Sequence, residues 1–97
     1  MSEKDAVIVR LRAALPDLRR RWPIRSLALF GSVVRDEAQA ESDLDVLVEF
    51  EKPIDLFAFL ALEEELASLA GRRVDLVSRA SLRRRIGRRI LAEAVPL

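Results

Sequence analysis

Three aspartates and a Gly-Ser pair hold most of the chemistry open to this chain. Asp43 and Asp45 stand at the head of the apolar run "VLVEF", and Asp75 lies inside "RRVDLV". Side chains alternate along a strand, so Asp43 and Asp45 point the same way. Two carboxylates that close repel, and one stays protonated unless a cation sits between them. A neighbouring parallel strand that carries Asp75 would bring a third carboxylate to the same patch. An all-oxygen cluster of this kind suits one or two magnesium ions, with manganese as a substitute. Paired ions about 3.5–4 Å apart clamp the attacking and leaving oxygens of a phosphoryl displacement.

Gly31 and Ser32 end the preceding apolar stretch "RSLALF". A glycine lets backbone come close to a phosphate, and amides at a helix start favour an anion. The Ser32 hydroxyl adds a donor, and Arg35, a turn further on, can reach the same triphosphate. Taken singly, each feature has an ordinary structural reading. Gly-Ser after a strand is a turn, Asp-x-Asp is an exposed strand edge, and Arg35 is a surface cation. Their joint order points to a nucleotide held through metal.

Composition narrows the remaining chemistry. The chain has 97 residues with no Cys and no His. This excludes disulfides, thiolate nucleophiles, His general bases and zinc sites built on either residue. Half the residues are apolar and a third charged, as in a globular domain. One domain spanning 1–97 is expected, burying about 65% of the surface of its unfolded chain. No apolar run approaches the ~20 residues of a membrane helix, and "MSEKDAVIVRLRAALP" lacks the pattern of a secretory signal. A cytoplasmic protein without membrane contact is expected. Residues 36–65 hold eleven acids and one base, and residues 72–89 hold eight arginines and one acid. One pole suits cations and the other phosphates or an acidic partner.

The elements that must position these residues follow from periodicity. Ile8, Leu11, Leu15, Leu18 and Trp22 mark an amphipathic helix over 3–22, with Pro16 expected to kink or split it. Strands are expected at 25–30, 43–50 and 72–77. "SVVRDEA" reads as a short helix and "QAES" as a loop. A helix over 56–70 has Asp55 as N-cap and Gly71 as its stop. A last helix spans 81–95, with Leu82, Ile86 and Ile90 on one stripe and Gly87 weakening it. The fold class is α/β: a small mixed sheet of three or slightly more strands packed by helices, with the strands at 43–50 and 72–77 parallel.

Gly31-Ser32, ten further residues, and Asp43-x-Asp45 resemble the signature of the DNA polymerase beta-like nucleotidyltransferases. Asp75 falls where that superfamily carries its third carboxylate. The resemblance covers nearly the whole chain and is nearest to the minimal nucleotidyltransferases, which have similar "GRRVDLV" and "RRILAEAVPL" segments. It implies the polymerase beta palm-like fold and attack of a hydroxyl on the α-phosphate of a nucleoside triphosphate. It also implies metal ligation and catalysis by Asp43, Asp45 and Asp75, with Gly31, Ser32 and Arg35 at the phosphates. ATP would be the substrate and magnesium the cofactor. The partner it implies is a HEPN-domain RNase toxin encoded nearby, neutralised by AMP transfer to its tyrosine. The chain departs from the family's common "GSRARG": it reads "GSVVRD", with Val33 at a basic or polar position and Asp36 at a frequent glycine. Without the additional domain of larger relatives, base selectivity and acceptor binding fall to the last helix, a second copy or a partner.

Two other functions fit parts of the sequence. A non-catalytic antitoxin would mask the toxin by contact alone, and metal-dependent ATP binding separates it from the enzyme. A nucleic-acid module would use Arg83, Arg84, Arg85, Arg88 and Arg89, and its affinity would fall steeply with salt. Scarce aromatics and the amphipathic pattern of the last helix weigh against it.

Overall fold

The computed structural model describes residues 2–35, 43–82 and 84–97. Helix α1 (Glu3–Arg21) begins where the Ser2 hydroxyl accepts the Asp5 amide at 3.1 Å. It runs unbroken through Pro16, contrary to a split at that point. The proline removes one backbone donor, but Leu15 and Leu18 on either side of it are sunk in the core and hold the turn. Arginines in the last turn complement the helix dipole.

Strand β1 (Ile24–Phe30) pairs antiparallel with β2 (Leu44–Phe50). Its register shifts between Ile24 and Ser26, so Ile24 and Leu27 both face the core despite their odd spacing. Strand β3 (Val74–Ser78) lies parallel to β2, as the β-α-β reading expects. Between them, α2 (Leu56–Ala70) is bounded by strong local signals. The Asp55 carboxylate accepts the Ala58 amide at 2.8 Å, and Gly71 ends the helix at φ 72°. The free edge of β3 is engaged by Glu63, whose carboxylate accepts the Leu76 amide at 2.9 Å.

After a 3₁₀ turn (Arg79–Ser81), α3 covers Arg84–Glu93, shorter than the 81–95 expected. Residues Val95–Pro96 form a fourth strand, β4, antiparallel to β1, giving the sheet order β3-β2-β1-β4. The expected stripe on the last helix is also corrected. Leu82 precedes the helix and Ile86 is 55% exposed, while Gly87 is the residue turned inward. A Cβ at Gly87 would meet the Leu82 Cβ at 3.3 Å, so the glycine serves close approach.

The core lies on one face of the sheet. Leu27, Leu29, Leu44, Val46, Val48 and Leu76 meet Leu11 and Leu18 of α1 and Leu62 and Leu66 of α2. Alternation then commits Asp45, Leu47 and Glu49 of β2 and Asp75 of β3 to the opposite face. Val33 joins the core at 3% exposure, which accounts for an apolar residue at this position. Among the described residues, no helix is long and apolar enough to cross a membrane.

Candidate active site

Strand register sets the site. Asp45 and Asp75 are direct partners across the parallel β2–β3 pair. Adjacent strands lie about 4.8 Å apart, so two carboxylates on one face are forced into proximity. Asp43 immediately precedes β2; its carboxylate meets the Arg73 guanidinium at 3.1 Å, and both side chains are well exposed. Asp45 is the least exposed of the three. Burial pushes its carboxyl above the ordinary value of 3.8, and the nearby charges of Asp75 and Asp43 push the same way. Arg35 opposes that rise, and Glu93 adds to it.

Gly31 is fitted to Asp45. Phe30 pairs with Asp45 across the β1–β2 ladder, so the next residue lies under the Asp45 side chain. A Cβ on Gly31 would sit 2.1 Å from Asp45 Oδ2, and the backbone there has φ +79°. Both facts demand glycine. Residues 32–35 form a turn in which the Arg35 amide donates to the Gly31 carbonyl at 3.2 Å. Ser32 lies at its start, partly exposed. The rest of the expected short helix, the "QAES" loop, Asp36 and Arg83 lie outside the described residues.

The sequence reading missed Glu93. This last residue of α3 reaches the turn: its carboxylate accepts the Gly31 amide at 3.2 Å and pairs with Arg35 at 3.2 Å. Only the pairing of the tail with β1 brings it there, and no spacing near Glu93 signals that pairing.

These residues are together, yet among the described residues no three acidic side chains converge tightly enough to form a metal cage. Asp43 is turned towards Arg73 instead. The donor type still fits a hard cation: only carboxylates are present, and the crowding that raises Asp45 is what such a cation relieves. Magnesium also keeps water and substrate oxygens in its shell, so it does not require an all-protein cage.

Residues 11–97 match the nucleotidyltransferase domain family. The chain belongs to this family. It is 46% identical over 85 residues to the protein adenylyltransferase MntA of Thermococcus cleftensis, covering 88% of this chain and 86% of that relative. A solved structure assigned as a minimal nucleotidyltransferase superposes with a TM-score of 0.79 at 39% identity, covering 100% of this chain and 97% of the other. A toxin–antitoxin complex with AMP-PNP contains a chain 25% identical, with TM-score 0.69 and coverage of 96% and 70%. A Shewanella oneidensis complex of a tri-AMPylated HEPN toxin with its MNT antitoxin, 23% identical over 97% of this chain and 67% of that one at TM-score 0.60, shares the fold. The family membership and the small α/β nucleotidyltransferase architecture implied by the resemblance both hold.

Proposed function

We propose that this nucleotidyltransferase is a protein adenylyltransferase and an antitoxin, moving AMP from ATP to a tyrosine hydroxyl of a HEPN-domain toxin. The observation that carries the reading is the direct register of Asp45 with Asp75, beside a Gly31 turn that only glycine can form. The MntA relative's name and the AMP-PNP complex support the same chemistry.

In this reading Asp43, Asp45 and Asp75 hold divalent cations of the magnesium class. Such ions, when bound, neutralise the triphosphate and favour an ionised acceptor oxygen. Gly31, Ser32 and Arg35 receive the β- and γ-phosphates and hold the α-phosphorus in line with the acceptor. Asp75, exposed at the mouth of the site, takes the hydroxyl proton. The acceptor oxygen bonds to the α-phosphorus, the bridging bond to the β-phosphate breaks, and pyrophosphate leaves. A cytoplasmic setting, where ATP is supplied, fits this reading.

The test is intact-protein mass of a HEPN-domain partner after incubation with ATP and magnesium. Gain of one or more AMP units, absent with the Asp43→Asn, Asp45→Asn double variant, is expected. A stable complex that gains no mass while neutralising the toxin would establish the masking antitoxin instead.

A further inference from the structure

We infer that Glu93 gates the phosphate subsite: its carboxylate occupies the donors that a triphosphate takes, and nucleotide binds as it moves off them. The inference rests on the reading of Gly31 and Arg35 as phosphate donors and adds an internal competitor to it.

The geometry is that of an anion already bound. The Gly31 amide and the Arg35 guanidinium converge on Glu93 Oε1, each at 3.2 Å, and Arg35 also reaches Oε2 at 3.3 Å. A backbone N–H and a guanidinium aimed at one pair of oxygens recognise carboxylate and phosphate alike. Glu93 is also an odd neighbour for this place. Asp45 lies against Gly31, so the contact sets a further carboxylate beside a cluster that already repels itself.

The backbone explains why Glu93 remains there. Two residues on, Val95 pairs with Leu29, Pro96 pairs with Ala28, and the Leu97 amide donates to the Leu27 carbonyl at 2.9 Å. The tail thus tethers Glu93 at high effective concentration beside Gly31. The side chains of the pair reach solvent, Glu93 at 25% exposure and Arg35 at 44%. A partly solvated ion pair is weak enough for a triphosphate to displace. Apparent nucleotide affinity is reduced by the fraction of molecules whose donors are free.

The test uses the full chain with magnesium and measures calorimetric affinity for ATP and, separately, for inorganic tripolyphosphate. Glu93→Gln keeps the size and an acceptor oxygen but removes the charge. It should tighten both ligands by about 3- to 10-fold, since the donors read phosphate and not base. In an Arg35→Ala background the gain should largely disappear. Glu93→Asp, which keeps the charge but draws it back by one methylene, should also tighten binding, and it decides the matter should Glu93→Gln fail to melt cooperatively. Equal or weaker binding by the variants, with wild type binding normally, would show that Glu93 props the turn and does not gate it. A gain that persists without Arg35 would overturn the inference as well. Binding of neither ligand by wild type or by the Glu93 variants would remove the phosphate subsite itself, and the inference with it.

Discussion

Asp45 carries opposing demands, and its substitution should show them separately. Its carboxyl is raised above 3.8 by burial first and by Asp75 and Asp43 next. A carboxyl raised in the folded state opposes folding once ionised, so stability falls as pH climbs from the unfolded value through the folded one. Asp45→Asn should therefore raise the melting temperature of the metal-free protein at pH 7 by a few degrees. That gain should vanish in acid below 3.8, where the wild-type carboxyl is protonated in both states. AMP transfer should be abolished in the same variant. Thermal melts at pH 3.5 and 7, with a transfer assay, check both halves. Magnesium should stabilise wild type in proportion to RT ln(1 + [L]/Kd) and leave the variant nearly unchanged. Gly31→Ala makes the converse case. The added methyl would overlap Asp45 Oδ2 at 2.1 Å in a left-handed backbone. A stability loss of about 1–3 kcal/mol is expected from the strained φ and the displaced carboxylate. Transfer should drop much further than unfolding accounts for, as single-turnover rates on the folded fraction would reveal.

At the scale of elements, helices and sheet are joined by a few polar contacts around an apolar core. Arg21, closing α1, donates to Glu65 of α2, and the Trp22 indole N–H donates to the same carboxylate at 3.3 Å. The Arg21 contact holds the Glu65 carboxyl below its ordinary 4.5. A lowered carboxyl stabilises the fold above its unfolded value, and the contribution is lost as pH falls through the folded value. Glu65→Gln should thus cost about 0.5–1 kcal/mol at pH 7 and little in acid below the folded value, measured by urea denaturation. Elements defined by local signals were the legible ones. Asp55, the apolar spacing and Gly71 mark α2 as 56–70, and the structure has Leu56–Ala70. Asp45 and Asp75 could be assigned to neighbouring strands because a β-α-β unit makes those strands parallel, whereas Asp43 falls just before β2. Distant pairing decided what remained. The last turn of the expected final helix is given up because Val95–Pro96 gains ladder bonds on β1. Glu93 reaches Gly31 through that pairing, and the Gly31–Asp45 fit depends on a cross-strand register that no short stretch encodes.

The whole molecule sets where its product can appear. The chain contains no Tyr, so AMP carried on tyrosine must reside on another protein. Among the described residues Asp75 and Asp43 are exposed, and so are Arg84, Arg85, Arg88 and Arg89 of α3. Transfer in trans has a kinetic signature that a cis reaction lacks. Once enzyme and HEPN-domain partner are diluted at a fixed ratio below the Kd of their complex, the fraction of partner modified per minute should fall about tenfold for each tenfold dilution. Saturating ATP holds nucleotide occupancy constant through the series. Radiolabelled ATP followed by gel separation measures both chains at once. Label should appear on the partner alone, and it should disappear when the acceptor tyrosine is replaced by phenylalanine. A fraction per minute independent of dilution, with label on this chain, would locate the acceptor hydroxyl on one of its own serines and overturn the tyrosine assignment.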